Sequence, residues 1–250
     1  MDISSISLWL LALVLAAISL GSFIKGITGM GLPLLAVPAI ASFTSVEEAV
    51  ILMIIPTFGS NLWLVVTHRR FANLLSQHLP FLVAGFIGGG LGTFVLVAVD
   101  DRWLKLTLAV WLAVYLLQYI FGNFLRSFFQ ARGAMAGAAG MLAGTIQGAT
   151  GISAHIVAPY FHGRNVAPEA YAFLIASAFL TFSCAQIVTA VSTELFTPER
   201  FAIGMVALIP TLVFIQIGIG LAGKLSAALF QKILLVIFIL MEIKLISDVI

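Results

Sequence analysis

The sequence predicts an all-α integral membrane protein made of two inverted-topology repeats, each of about five helical elements. Three observations carry that prediction. Hydrophobic residues make up 62% of the 250-residue chain and charged residues only 9%, against roughly 25% charged in soluble domains. Apolar stretches of bilayer length recur throughout, with a mean hydropathy of +1.17, and leave no room for a separate soluble domain. Two similar segments, Lys25-Gly26-Ile27-Thr28-Gly29 and Gln147-Gly148-Ala149-Thr150-Gly151, interrupt such stretches, one in each half. A break at bilayer depth frees backbone groups that lipid cannot satisfy, so it must face protein, water or a ligand. A pair of breaks in corresponding positions points to a site where the two repeats meet near the midplane.

The elements follow in order. Residues 6–24 form a full-length span. No positively charged leader precedes it and no Ala-x-Ala site follows, so it reads as a retained helix. Residues 32–43 would make a helix of roughly 18 Å, too short to cross alone. Spans follow at 46–66, 79–99 and 104–121, with a short polar loop around Arg69. After a second polar loop around Arg126 the pattern restarts with 134–146, a short piece at 153–161, and spans at 168–191, 201–221 and 229–246. The repeats are 1–124 and 125–250, related by an offset of about 122 residues. Lys25 then falls on Gln147, Glu47 on Glu169 and Asn61 on Ser183; with a small drift, Gly90-Leu91-Gly92 matches Gly218-Ile219-Gly220.

Basic residues set the orientation. If each long-plus-short pair enters and returns, the odd element count inverts the second repeat. Arg69, Arg70, Arg126, Arg132, Arg164, Lys224 and Lys232 then lie inside, and Arg102, Lys105, Arg200 and Lys244 outside. Parallel repeats, with each pair as one crossing, would divide the same residues six to five and put Arg164 outside and Arg200 inside. The positive-inside rule favours inversion, with both termini outside. Trp9, Trp103, Tyr115 and Tyr160 sit near predicted span ends, as interfacial belts do.

Several function classes drop out. A scattered net charge of +2 gives no footprint for nucleic acid. Cys184 is the single cysteine, which excludes an intramolecular disulfide and a thiolate metal cluster and reads as a small core residue. There is no His-Glu-x-x-His helix and no P-loop. Gly151-Ile152-Ser153-Ala154-His155 lacks the second glycine of a nucleophile elbow, and Ser153 and His155 would point apart on one helix. The expectation is a non-enzyme with no cofactor and no metal.

Lys25 leads the candidates for chemistry. An ammonium at bilayer depth is expensive, and no acidic residue lies in either break to neutralise it. It contacts an anionic substrate, bonds the free carbonyls at the end of its own helix, or, if the segment reaches the cytoplasmic surface, is merely a positive-inside residue. Pro33 in the first turn of one short helix, and Ser153 as a cap of the other, would start both helices inside the membrane. Their unpaired N–H groups would face the gap, and Gly29, Gly31 and Gly151 would leave backbone bare for an anion to approach, unless the glycine-rich breaks serve close packing alone. Thr28 and Thr150 can donate to oxyanion oxygens or back-bond to their own helices. Gln147, which replaces Lys25, could donate to substrate or bridge helices. Asn61 and Ser183, mid-helix, either line the site or bond across helices. His155 could carry protons or make an ordinary polar contact. The glycine runs at residues 133–151 and 85–92 read as bare packing faces, which could serve helix sliding or a homodimer.

Gly21-Ser22-Phe23-Ile24-Lys25-Gly26-Ile27-Thr28-Gly29-Met30-Gly31-Leu32-Pro33 resembles the first-repeat signature of the TauE/SafE sulfite-exporter family. Gly144-Thr145-Ile146-Gln147-Gly148-Ala149-Thr150-Gly151, followed by Pro159-Tyr160, resembles its second-repeat counterpart. The resemblance covers essentially the whole chain, and departs from the commoner glycine-rich second signature at Ser153 and His155. It implies a transporter of the bacterial cytoplasmic membrane that moves sulfite, short organosulfonates such as sulfoacetate, or related small anions. It also implies that Lys25, Gly26, Thr28, Gly29, Gly31, Gln147, Gly148, Thr150 and Gly151 form the substrate site. The expected mode is export by alternating access, with a passive anion channel, an uptake permease for small organic anions and a non-transporting membrane subunit as alternatives. The expected partners are a small anion and the lipid bilayer.

Overall fold

Ten α-helices and one 3-10 stretch make up the regular structure of the computed structural model, which describes residues 8–121, 134–162, 166–222 and 227–248. In chain order they are α1 (Leu8–Thr28), α2 (Leu32–Ala41), α3 (Val46–Thr67), a 3-10 stretch (Arg69–His78), α4 (Leu79–Ala98) and α5 (Asp101–Phe121). Then come α6 (Ala134–Thr150), α7 (Ala154–His162), α8 (Pro168–Ser192), α9 (Pro198–Leu221) and α10 (Ala227–Ser247). The predicted repeat junction, the start of the first span at residue 6, and Arg126, Arg132, Gly133, Arg164 and Lys224 lie outside the described residues, as do the side chains of Tyr115 and Lys232.

Among the described residues, five stretches are long and apolar enough to cross a bilayer: α1 from Trp9, α3, the segment Arg69–Ala98, α8 and α9. α1, of 21 residues, extends about 31 Å, close to the thickness of a hydrocarbon core. α2, of 10 residues, reaches only about half of that. Proline opens α2, α4, α8 and α9, where its missing N–H costs nothing. Ser45 caps α3 by accepting from the Glu48 N–H, and Thr197 caps α9 by accepting from the Arg200 N–H.

Three expectations are corrected by the structure. α1 and α6 run four residues beyond the predicted ends, through Thr28 and Thr150, so the breaks are Gly29-Met30-Gly31 and Gly151-Ile152-Ser153. The stretch after Arg69 is wound as a 3-10 helix, because Phe71, Leu74 and Leu75 pack onto an aromatic core and hold the chain down. Tyr160 is not interfacial: it is 1% exposed and stacks on Phe81 with ring centroids 4.1 Å apart.

The two glycine runs form one interface. α4 packs on α6 so closely that a Cβ on Gly144 would sit 2.1 Å from the Gly85 carbonyl oxygen, and one on Gly148 would sit 2.4 Å from that of Gly89. α1 packs on α9 in the same manner: a Cβ on Gly26 would meet the Ile215 carbonyl at 2.3 Å, and one on Gly218 that of Phe23 at 2.3 Å. Each helix carrying a break is thus clamped to the other half of the chain.

α3 and α8 pack together at the centre. Arg200, in the first turn of α9, pairs with Glu47 at 2.9 Å and Glu48 at 2.6 Å, at the start of α3. Arg70, just beyond the end of α3, pairs with Glu169 at the start of α8. The start of α3 therefore lies by the end of α8 and the reverse, so the two helices run antiparallel. Asp101 completes the Glu48 end by accepting the Val46 N–H at 2.7 Å. Large apolar residues on the outward faces of α4 (Val83, Ile87, Leu91) and α9 (Val206, Ile209, Val213) are exposed. Patches of that kind require a nonaqueous neighbour, and lipid supplies it.

Candidate functional site

Both breaks turn on glycine. Gly31 has φ 113° and Gly151 φ 72°, a region open to glycine at little cost. The turns are built alike. The Thr28 hydroxyl lies 2.9 Å from the Ile24 carbonyl and 2.5 Å from that of Met30, and accepts the Met30 N–H at 3.3 Å. The Thr150 hydroxyl lies 2.7 Å from the Ile146 carbonyl and 3.5 Å from that of Ile152, and accepts the Ile152 N–H at 3.3 Å. Of the two roles open to these threonines, the structure shows the back-bonding one: they satisfy groups the break would orphan.

The short helices then start at a common cavity of about 320 Å³ of empty space, part of it open to the outside. Gly31 and Pro33 from the start of α2, and Ile152, Ser153 and Ala154 from the start of α7, all line it. Lys25, Thr57, Asn61 and Gln147 bring its polar groups, and Phe179 and Leu34 add apolar wall. No lining residue is acidic.

Lys25 is only 4% exposed. Its Nζ donates to Asn61 Oδ1 at 2.6 Å and to Ser60 Oγ at 2.9 Å. Asn61 is held for this by donating its own amide to the Thr57 carbonyl at 2.8 Å. Two neutral acceptors position the ammonium without cancelling its charge, and one of its three protons is left for a further acceptor. Lys25 therefore does not cap its own helix. Across the cavity, Ser153 Oγ donates to Gln147 Oε1 at 2.9 Å, and Gln186 Nε2 donates to the Gln147 backbone carbonyl at 3.3 Å. Ser153 thus gives its hydroxyl proton to Gln147 of α6.

The remaining predicted residues fall around this centre. Gly26 and Gly148 hold the clamps to α9 and α4, and Gly29 lies in open space beside the first break. His155 is buried, stacks on Trp111 at 4.3 Å, and lies outside the cavity wall; neither ring nitrogen has a hydrogen-bond partner among the described residues. Ser183 is fully buried, and its hydroxyl has no hydrogen-bond partner among the described residues. It shares a helical face with Phe179, which lines the cavity, and with Gln186. Thr57, Ser60 and Gln186 were not foreseen. The signal was available: each is a polar residue in an apolar span, two of them within four residues of Asn61. No group of three or more His, Cys, Asp or Glu suited to a metal occurs among the described residues.

A helical membrane protein whose two interrupted helices meet at a buried cationic cavity has the architecture of a secondary transporter. A family model described as Sulfite exporter TauE/SafE matches residues 13–245, and the chain belongs to that family. The family is one of membrane transporters of sulfur anions, not of enzymes, and with the five apolar stretches it makes this a multi-pass membrane protein. Neither a curated protein nor a solved structure matches the chain.

Proposed function

We propose that this protein exports small sulfur-containing anions, sulfite or short organosulfonates such as sulfoacetate, across the bacterial cytoplasmic membrane by alternating access. The observation that carries the reading is Lys25: a buried ammonium with only neutral partners, at a cavity where two short helices begin. An anion there gains the free Lys25 proton and the unpaired N–H groups of the helix starts. A partly enclosed, preorganised setting strengthens both.

The path through the membrane follows from an inverted arrangement of the two repeats, 1–124 and 125–250. Two ion pairs support it. Parallel repeats would put Arg200 and Glu48 on opposite faces, and likewise Arg70 and Glu169, whereas inverted repeats put each pair on one face. Both termini then lie outside, and alternate rocking of the repeats would expose the cavity to either side. Direction follows from charge. Each elementary charge crossing 100 mV is worth about 2.3 kcal/mol, so a dianion leaving a negative interior gains about twice that. Export therefore needs no coupling ion, in keeping with a cavity whose described lining residues include no carboxylate and no histidine.

The test is efflux of [35S]sulfite from proteoliposomes under a potassium diffusion potential. The expected result is efflux driven by a negative interior, independent of a proton gradient, and accelerated by unlabelled sulfite outside. Efflux that demands a proton gradient would overturn uniport. Single-channel currents without trans-acceleration would make the protein a channel.

A further inference from the structure

A second, smaller pocket lies against the first, a narrow cleft whose empty space of about 170 Å³ is partly open to the outside. Pro33, Thr57, Gln147 and Gly151 line both and form the wall between them. Beyond that wall the two diverge in direction. Along α3 the larger cavity takes Asn61, whereas the smaller takes Val50, Met53 and Ile54. At 1.5 Å per residue, Val50 lies about 16 Å from Asn61 along the axis. Along α8 the larger takes Phe179 and the smaller Gln186, about 10 Å further on. Because α3 and α8 run antiparallel, moving back to Val50 on one and forward to Gln186 on the other is the same direction. It leads to the face closed by Arg200, Glu47 and Glu48. The cavities are therefore stacked along the bundle axis.

Two more features mark this as a path. Ser183 lines neither cavity but stands on the α8 face between Phe179 and Gln186, fully buried, its hydroxyl without a partner among the described residues. A buried hydroxyl without a partner is costly, and a passing acceptor would satisfy it. The polar groups of the smaller cavity are also all uncharged: Thr57, Gln147 and Gln186.

We propose that the smaller cavity is a second, neutral subsite for the transported oxyanion, with Gln186 as its principal donor and Ser183 as the step from the Lys25 cavity. The assignment rests on the reading of the Lys25 cavity as an anion site. Lys25 captures by charge. A site that captures must also release, and a weaker neutral site next to it divides the release into two smaller steps. The sequence offset agrees, since Gln147 and Ser183 are the second-half counterparts of Lys25 and Asn61. One half of the path is thus cationic and the other amide-lined, which gives the path a polarity.

The experiment pairs equilibrium binding of [35S]sulfite in detergent with its efflux from proteoliposomes, using the full chain. Gln186→Leu is expected to leave sulfite affinity within about threefold of wild type and to lower efflux at least tenfold; Gln186→Asn keeps most of the efflux. Efflux within twofold of wild type in Gln186→Leu, or affinity and efflux falling by the same factor, overturns the second subsite. If Gln186→Leu fails to fold, Met53→Phe, which narrows the same cavity from its apolar side, carries the same expectations. Lys25→Ala run in parallel separates the two claims. Sulfite affinity lost in Lys25→Ala while Gln186 proves indifferent removes only the second subsite, and affinity unchanged in Lys25→Ala removes both.

Discussion

Lys25 is positioned by Ser60 and Asn61, and those two residues test what holds it. Asn61→Ala removes the shorter of its two bonds and leaves the ammonium less fixed. Sulfite affinity is expected to fall about three- to tenfold, measured by equilibrium binding, with Asn61→Asp falling further because the new carboxylate neutralises Lys25. An Asn61→Asp protein that binds sulfite as well as wild type contradicts this. The threonines should behave differently. Thr28→Val and Thr150→Val each lose a hydroxyl that satisfies the break, at about 1–3 kcal/mol for groups left unpaired. Thermal unfolding should shift downward while sulfite affinity stays within about threefold. A Thr28→Val protein with unchanged stability and lost affinity would make the hydroxyl a substrate donor. Most polar members of the site could be found in the sequence, because an ammonium, an amide or a hydroxyl in an apolar span stands out. Which way each bonds could not. Lys25 reaching to α3 and Thr28 turning to its own backbone are decisions of rotamer and neighbour, and α3 is far from α1 in sequence.

At the scale of elements, the broken helices are as much clamps as sites. Gly144, Gly148 and Gly26 let backbone touch backbone between halves, and a methyl group has no room there. Gly144→Ala should destabilise by about 1–3 kcal/mol, as overpacking does, read as a lowered unfolding temperature in detergent. Gly220→Ala, where a Cβ meets nothing within 4 Å, is the control and should be neutral. Equal effects from the two would contradict the clamp. Element existence was legible from hydropathy throughout, since length and polarity are local properties. The ends of α1 and α6 were not. Glycine reads as a helix breaker in an isolated chain, but Gly26 and Gly148 stay helical because a neighbouring backbone occupies the space a side chain would take. The 3-10 stretch was missed for a related reason: Phe71 and Leu75 pack onto a cluster most of whose members, such as Tyr160, Phe173 and Phe182, are far away in sequence.

The whole molecule is held at each end of the α3–α8 pair by ions. Glu48 and Arg200 are mostly buried, with side chains 7% and 12% exposed, whereas Arg70 and Glu169 are open to solvent. A double-mutant cycle on Glu48→Gln and Arg200→Gln should give a coupling on the order of 1–3 kcal/mol, and the same cycle on Arg70 and Glu169 well under that. No coupling at Glu48–Arg200 would remove one of the two bonds that support the inverted arrangement. Basic residues in the sequence favoured inversion by a narrow margin; the ion pairs support it further because they join segments 99 and 152 residues apart. The central claim is that Lys25 is the charge that binds the anion. The measurement that tests it most directly is equilibrium binding of [35S]sulfite to wild type, Lys25→Ala and Lys25→Arg, each checked for folding by thermal unfolding. The account predicts at least a tenfold loss of affinity in Lys25→Ala and partial retention in Lys25→Arg. Wild-type affinity in a folded Lys25→Ala protein would contradict it.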